Sequence, residues 1–111
     1  MREPTYFILA ALQDGPLHGY AIVSRADELS QGRVRLATGT LYAALDRLAG
    51  VGYVVSTREE IVNGRARRYY ALTSDGAVAL RAEADAMAAA ARVVTDRTAR
   101  TASTRPAAGL A

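Results

Sequence analysis

The sequence predicts a mainly α fold closed by a small β-hairpin and followed by one long helix, on three observations. Within Thr38–Val54 (TGTLYAALDRLAGVGYV), Leu41, Leu45 and Leu48 step by four and three and so share one helical face. Asn63-Gly64 separates two strand-like runs and favours the positive backbone angles of a tight hairpin turn. Ala77, Leu80, Ala84, Met87, Ala91 and Val94 recur at alternating steps of three and four, the seam of a helix that pairs with another.

The 111 residues leave room for one domain and an added helix, and 50% hydrophobic content is that of a globular chain. No apolar run approaches the roughly 18 residues a membrane span needs. The opening MREPTYFILAAL has neither a basic leader nor a small-residue cleavage site, so a cytoplasmic protein is expected. Cysteine is absent, which excludes a disulfide framework and any thiolate metal site; no cofactor or metal is expected. With one histidine, His18, and no nucleophile-elbow motif around Ser24 or Ser56, an enzyme is not expected either.

All 14 basic residues are arginine, so every cation carries a planar fork able to grip phosphate or guanine in bidentate fashion. They are unevenly placed. From Gln31 to Leu72 seven arginines face three acids, whereas from Met1 to Ser30 two arginines face four acids. The positive charge gathers around Thr38–Val54, as on a nucleic-acid-binding surface.

The elements follow in order. Thr5–Asp14 is nearly all apolar after Pro4 and predicts a buried helix with Tyr6, Ile8, Leu9 and Leu12 in the core, broken by Gly15-Pro16. His18–Ser30 predicts a second helix with Tyr20, Ile22, Val23, Ala26 and Leu29 on its apolar face and His18 at its start. Gln31–Ala37 alternates Val34 and Leu36 with Arg33 and Arg35, a loop or short strand. The third helix then spans 38–52, with Thr38 or Thr40 capping its start and Gly50 and Gly52 stopping it. Two strands follow, Tyr53–Val62 and Arg65–Thr73, joined at Asn63-Gly64 beside Arg65, Arg67 and Arg68. Alternation in the second sends Tyr70 and Leu72 to one side and Tyr69 to the other, one tyrosine into the core and one toward solvent or phosphate.

Thr73 caps the last helix and Asp75 sits in its first turn, where the helix dipole favours an anion. A helix over 74–100 is too long for a three-helix core to cover, so its seam (Leu80, Ala84, Met87, Ala91, Val94) calls for a partner, most simply a second copy. Residues 101–111 lack periodicity, contain Pro106 and Gly109, and are expected as a disordered tail. The order helix, helix, helix, strand, basic turn, strand, long helix is a winged helix-turn-helix domain (1–73) with a C-terminal dimerisation helix (74–100).

Three stretches also carry a resemblance: GPLHGYAIV, TGTLYAALDRLAGVGYV and GRARRYYALTSDG resemble, in order and spacing over roughly residues 5–80, the PadR family of bacterial transcriptional regulators. The short single C-terminal helix is similar to the smaller subfamily. The resemblance implies a homodimeric repressor of double-stranded DNA that reads an inverted repeat. Carried onto this sequence, Thr38, Thr40, Tyr42 and Arg47 fall on the recognition helix and Arg65, Arg67 and Arg68 on the wing (58–70). Thr40 is expected to contact a base edge or phosphate, and the wing arginines phosphates or the minor groove. Tyr42 either hydrogen-bonds a phosphate or packs against the second helix. Some members of that family respond to phenolic acids or flat apolar drugs through aromatic side chains of the last helix. Here that helix has no Trp, Tyr or Phe, and a small-molecule inducer is unsupported. The alternative is a winged-helix protein-interaction module without sequence-specific DNA binding, which would not need the arginine excess of the wing.

Overall fold

The computed structural model describes the backbone of residues 1–109 and the side chains of residues 1–97. Its elements run α1 (Glu3–Ala11), β1 (Leu17–His18), α2 (Gly19–Leu29), α3 (Thr38–Gly50), β2 (Val54–Val62), β3 (Arg65–Leu72) and α4 (Ser74–Gly109). Met1–Arg81 and Ala82–Ala111 form two compact units, and α4 begins in the first and ends in the second.

The core of the first unit is aliphatic. Ile8, Leu9 and Leu12 from α1 and its C-cap meet Ile22 of α2 and Leu41, Leu45 and Leu48 of α3, and Val54, Tyr70 and Leu80 close it. Tyr20 does not belong to this set: it is 81% exposed. It stands two positions before Ile22, and two positions on a helix lie on nearly opposite faces. The buried stripe of α2 is Gly19, Ile22 and Ala26, three and four apart.

Helix ends follow local chemistry. After α3, Gly52 takes φ +81°, Tyr53 N–H donates to the Leu48 carbonyl (2.9 Å) and Gly52 N–H to that of Ala49 (3.1 Å), a Schellman closure. The helix thus ends at Gly50, two residues inside the expected limit. The same closure ends α2, with Gln31 itself left-handed at φ +56°. In the connection that follows, the buried Ser30 hydroxyl donates to the Asp27 carbonyl (3.2 Å) and accepts from Val34 N–H (2.8 Å). Gln31–Ala37 is therefore a hydrogen-bonded turn and loop with Val34 buried, not a strand.

The sheet has three antiparallel strands in the order β1-β3-β2. β1 adds Leu17 opposite Tyr70 and His18 opposite Tyr69; a two-residue strand has no periodicity to read. The hairpin turns at Asn63 (φ +52°) and Gly64 (φ +76°), the pair of positive angles expected there. Glu59 lies opposite Arg68, Glu60 opposite Arg67 and Arg58 opposite Tyr69, with a bulge at Thr57.

Thr73 caps α4 as expected, its hydroxyl accepting from Gly76 N–H at 3.0 Å and donating to the Gly52 carbonyl at 2.6 Å. Leu80 is 4% exposed and packs in the core of its own domain, so it is not available to a partner as the seam had implied. In the second unit Met87 is 42% and Val94 65% exposed, and Ala91 is exposed as well. α4 continues to Gly109, through most of the stretch expected as a tail. Leu110 and Ala111 lie outside the described residues. No helix among the described residues is long and apolar enough to cross a membrane.

The entry to α4 has no spare volume: a methyl group on Gly76 would overlap the Tyr53 carbonyl oxygen. Gly76→Ala is expected to destabilise the domain by about 1–3 kcal/mol through forced backbone displacement, read as a lower thermal midpoint. An unchanged midpoint would mean that α4 starts without leaning on the turn after α3.

Candidate functional site

The buried face of α3 leaves an outer half to solvent, and Thr38, Thr40, Tyr42 and Arg47 are all exposed on it. They do not share one flank. Thr38 and Tyr42 are four apart on the flank toward α2, whereas Thr40 and Arg47 lie seven apart on the other. On that second flank the Arg47 guanidinium donates to the Thr5 hydroxyl at 3.4 Å. Neither threonine caps the helix: the N-cap is Ala37, without a side-chain bond. Thr38 is already inside the first turn, where a hydroxyl no longer reaches the orphan N–H groups. Both hydroxyls, and the first-turn N–H groups, therefore remain open.

Tyr42 combines the two roles its sequence position allowed. Its ring lies over Gly19 at the start of α2, where a methyl group would stand 2.5 Å from the tyrosine hydroxyl oxygen. The residue nonetheless stays 39% exposed. Gly19 is thus the seat of Tyr42, a role that sequence reasoning missed because the contact joins residues far apart in the chain.

Next to Tyr42 opens a cleft of about 460 Å³, bordered by His18, Gly19, Asn63, Arg65, Arg67 and, at its rim, Arg68. His18 is part of its lining. The Nδ1 atom accepts from Ala21 N–H (3.3 Å), capping α2, and the ring meets Tyr69 edge-on at 5.5 Å between centroids. Burial, and then the Arg67 guanidinium, hold the His18 pKa below its ordinary 6.5, with Glu60 pulling the other way.

The wing sorts its cations by face. Alternation along β3 puts Arg65, Arg67 and Tyr69 on the His18 side and Arg68 on the other, opposite Glu59. There the Arg68 Nε lies 3.7 Å from Glu59, and Tyr70 followed by Glu59 raises its pKa above the ordinary value. Arg68 is therefore occupied, unlike the two arginines with which the sequence grouped it. Glu60 lies opposite Arg67, but its carboxylate accepts from the Tyr69 hydroxyl (2.7 Å) and pairs with Arg58 at 3.9 Å. Arg58 in turn stacks 4.2 Å over the Tyr69 ring. Tyr69 is thus tied within the wing and does not reach out to solvent or phosphate. Among the described residues, Arg65 and Arg67 have no carboxylate partner. The two-residue turn alone fixes this register, so the positions of Arg58 and Glu59 could have been read from the sequence.

Two free guanidinium forks and a phenol edge beside an exposed helix face can grip a polyanion and place that helix against it. No group of three or more metal-ligating side chains occurs among the described residues.

Residues 8–82 match the model of the "Transcriptional regulator PadR-like family". The transcriptional regulator Rv3488 of Mycobacterium tuberculosis is 39% identical over 87 residues, 78% of each protein. An uncharacterized 37.1 kDa protein in transposon TN4556 of Streptomyces fradiae is 43% identical over 81 residues, 73% of this chain; the chain spans 22% of that protein's length. Among solved structures, Bacillus subtilis PadR in complex with operator DNA superposes with a TM-score of 0.63 at 28% identity, over 72% of this chain and 45% of that one.

The lowered His18 pKa has a definite sign. The unfolded chain binds this proton more tightly than the folded one, so the associated stability is present above pH 6.5 and drains as pH falls through the folded value. Protonation also removes the Nδ1 acceptor that caps α2. The thermal midpoint is expected to fall on acidification from roughly pH 7 to 5, ahead of the carboxylates. His18→Asn, which keeps a capping oxygen but cannot titrate, should flatten that fall. A wild-type midpoint independent of pH over this window would contradict the assignment.

Proposed function

The chain belongs to the PadR-like family of transcriptional regulators, and from that premise we propose that it is a cytoplasmic repressor that binds an inverted-repeat operator as a homodimer. The observation that carries the proposal is the pairing of an open α3 face with two unneutralised wing arginines at one cleft. In this reading α3 enters the major groove, Thr38 and Thr40 reach base edges or phosphate at its tip, and Tyr42 hydrogen-bonds the adjoining phosphate. Arg65 and Arg67 grip the backbone or the neighbouring minor groove. Arg47 contributes at the far flank, from its position beside Thr5. The solved complex of B. subtilis PadR with operator DNA supports DNA as the partner here.

Dimerisation is proposed through Met87, Ala91 and Val94, which a single copy leaves exposed, together with the half-buried Ala84. Two copies related by a dyad would present their α3 helices to half-sites about one helical turn apart, roughly 34–36 Å. Two bare guanidinium groups bordering one cleft with Tyr42 favour a polyanion as the partner.

Two measurements test this. In titrations of a fluorescent duplex, replacing both Arg65 and Arg67 by Ala should weaken binding to every sequence and lower the slope of log K against log salt by about two, at roughly 0.9 per lost phosphate contact. Arg68→Ala should leave that slope near the wild-type value, and equal effects of all three arginines would remove the face-sorted wing. Light scattering at micromolar concentration should give twice the 11.8 kDa chain mass; a monomer alone would sink the dimer.

A further inference from the structure

The outer strip of α3 is made almost entirely of residues without reach. Gly39, Ala43, Asp46 and Gly50 follow one another at steps of four, three and four and lie on one face, opposite the buried leucines. Three of them extend no further than a methyl group. A helix with so slight a face can sink deep into a groove, and Asp46 is the single side chain that projects from the middle of it. Asp46 also falls one turn beyond Tyr42, on the edge of the strip nearest the wing arginines.

The charge pattern of the domain sets this residue apart. Seven carboxylates occur between Met1 and Thr73. Glu3 pairs with Arg33, Asp14 and Glu28 with Arg25, Asp27 with Arg35, Glu59 with Arg68 and Glu60 with Arg58. Of these seven only Asp46 has no arginine within reach, although Arg47 is its neighbour in sequence and turns instead to Thr5. An unneutralised carboxylate on a surface that meets phosphate is repelled unless a donor is waiting for it. In the major groove the base-edge donors are the amino groups, N4 of cytosine and N6 of adenine; guanine and thymine present acceptors there.

Building on the proposed DNA-binding function, we infer that Asp46 is the specificity-determining residue of the α3 face, selecting an amino-bearing base in each half-site. It accepts a hydrogen bond from that base and is repelled where guanine or thymine places O6, N7 or O4 at that position of the strand. Its contribution is discrimination rather than affinity, since the same charge weakens contact with any mismatched duplex.

The test is selection of a randomised duplex pool by the full-length protein, with sequencing of the retained strands, for wild type, Asp46→Ala and Asp46→Asn. The wild type should show one position per half-site where cytosine or adenine dominates. Asp46→Ala should lower that preference by roughly 5- to 100-fold, the range of one good base contact, while binding a scrambled duplex more tightly than wild type does. Asp46→Asn should move the position toward adenine, whose N6 and N7 an amide can engage together. Asp46 is exposed, so an unchanged circular-dichroism melt should accompany each variant. A retained-base profile that Asp46→Ala leaves intact overturns the inference, as does a wild type that binds duplex without preference. A wild type that retains no duplex at all overturns the proposed function beneath it.

Discussion

The one-sided burial of α3 is the constraint on which everything else depends. Leu41, Leu45 and Leu48 are essentially removed from solvent, and burying each such side chain contributes about 1.5–3 kcal/mol. A small domain has a net stability of only about 5–15 kcal/mol, so a rotation of α3 that exposed all three leucines would forfeit much or all of it. The outward half of the helix is therefore fixed by what the inward half requires. Which groups meet a partner follows from the helical period once the leucines are placed.

The ion pairs act differently from the core. Exposed arginine–carboxylate pairs contribute about 0–1 kcal/mol each, too little to hold the fold. Their consequence is to divide the cations into occupied and available. Arg25, Arg33, Arg35, Arg58 and Arg68 each have a carboxylate within reach, whereas Arg65 and Arg67 do not. Net charge alone would have spread the basic character over the whole middle of the chain. The strand register concentrates its usable part on one face of the wing.

What could be read from the sequence was what repeats or what a dipeptide dictates. The spacing of Leu41, Leu45 and Leu48, the Asn63-Gly64 turn and the Thr73 cap each carry their structural consequence locally, and each is found in the structure. The misreadings arose where tertiary contact overrides local pattern. Tyr20 counts as apolar in any periodicity, yet its position opposite Ile22 puts it in solvent. Leu80 fits a heptad, yet the first turns of α4 are still part of the domain core. Thr38 has the chemistry of a cap, but Ala37 occupies that place. Arg68 belongs to the same basic run as Arg65 and Arg67 and is separated from them only by the side-to-side alternation of a strand. Within the site, the members were legible and their division among flanks and faces was not.

The two arms of the site are held to a common reference. A two-stranded hairpin is at best marginally stable by itself, so the wing needs an anchor beyond its own ladder. Its anchors are Val54 and Tyr70, buried in the core, and β1, whose Leu17 and His18 pair with Tyr70 and Tyr69. His18 is also the cap of α2, and the next residue, Gly19, is the seat of Tyr42 on α3. Three consecutive residues thus touch the wing, start α2 and support the edge of α3. The distance between the wing arginines and the α3 face is consequently set by the start of α2 rather than by the hairpin. A side chain at position 19 would displace the Tyr42 ring from its seat beside the wing. The glycine belongs to the site as much as the residues that carry its charge.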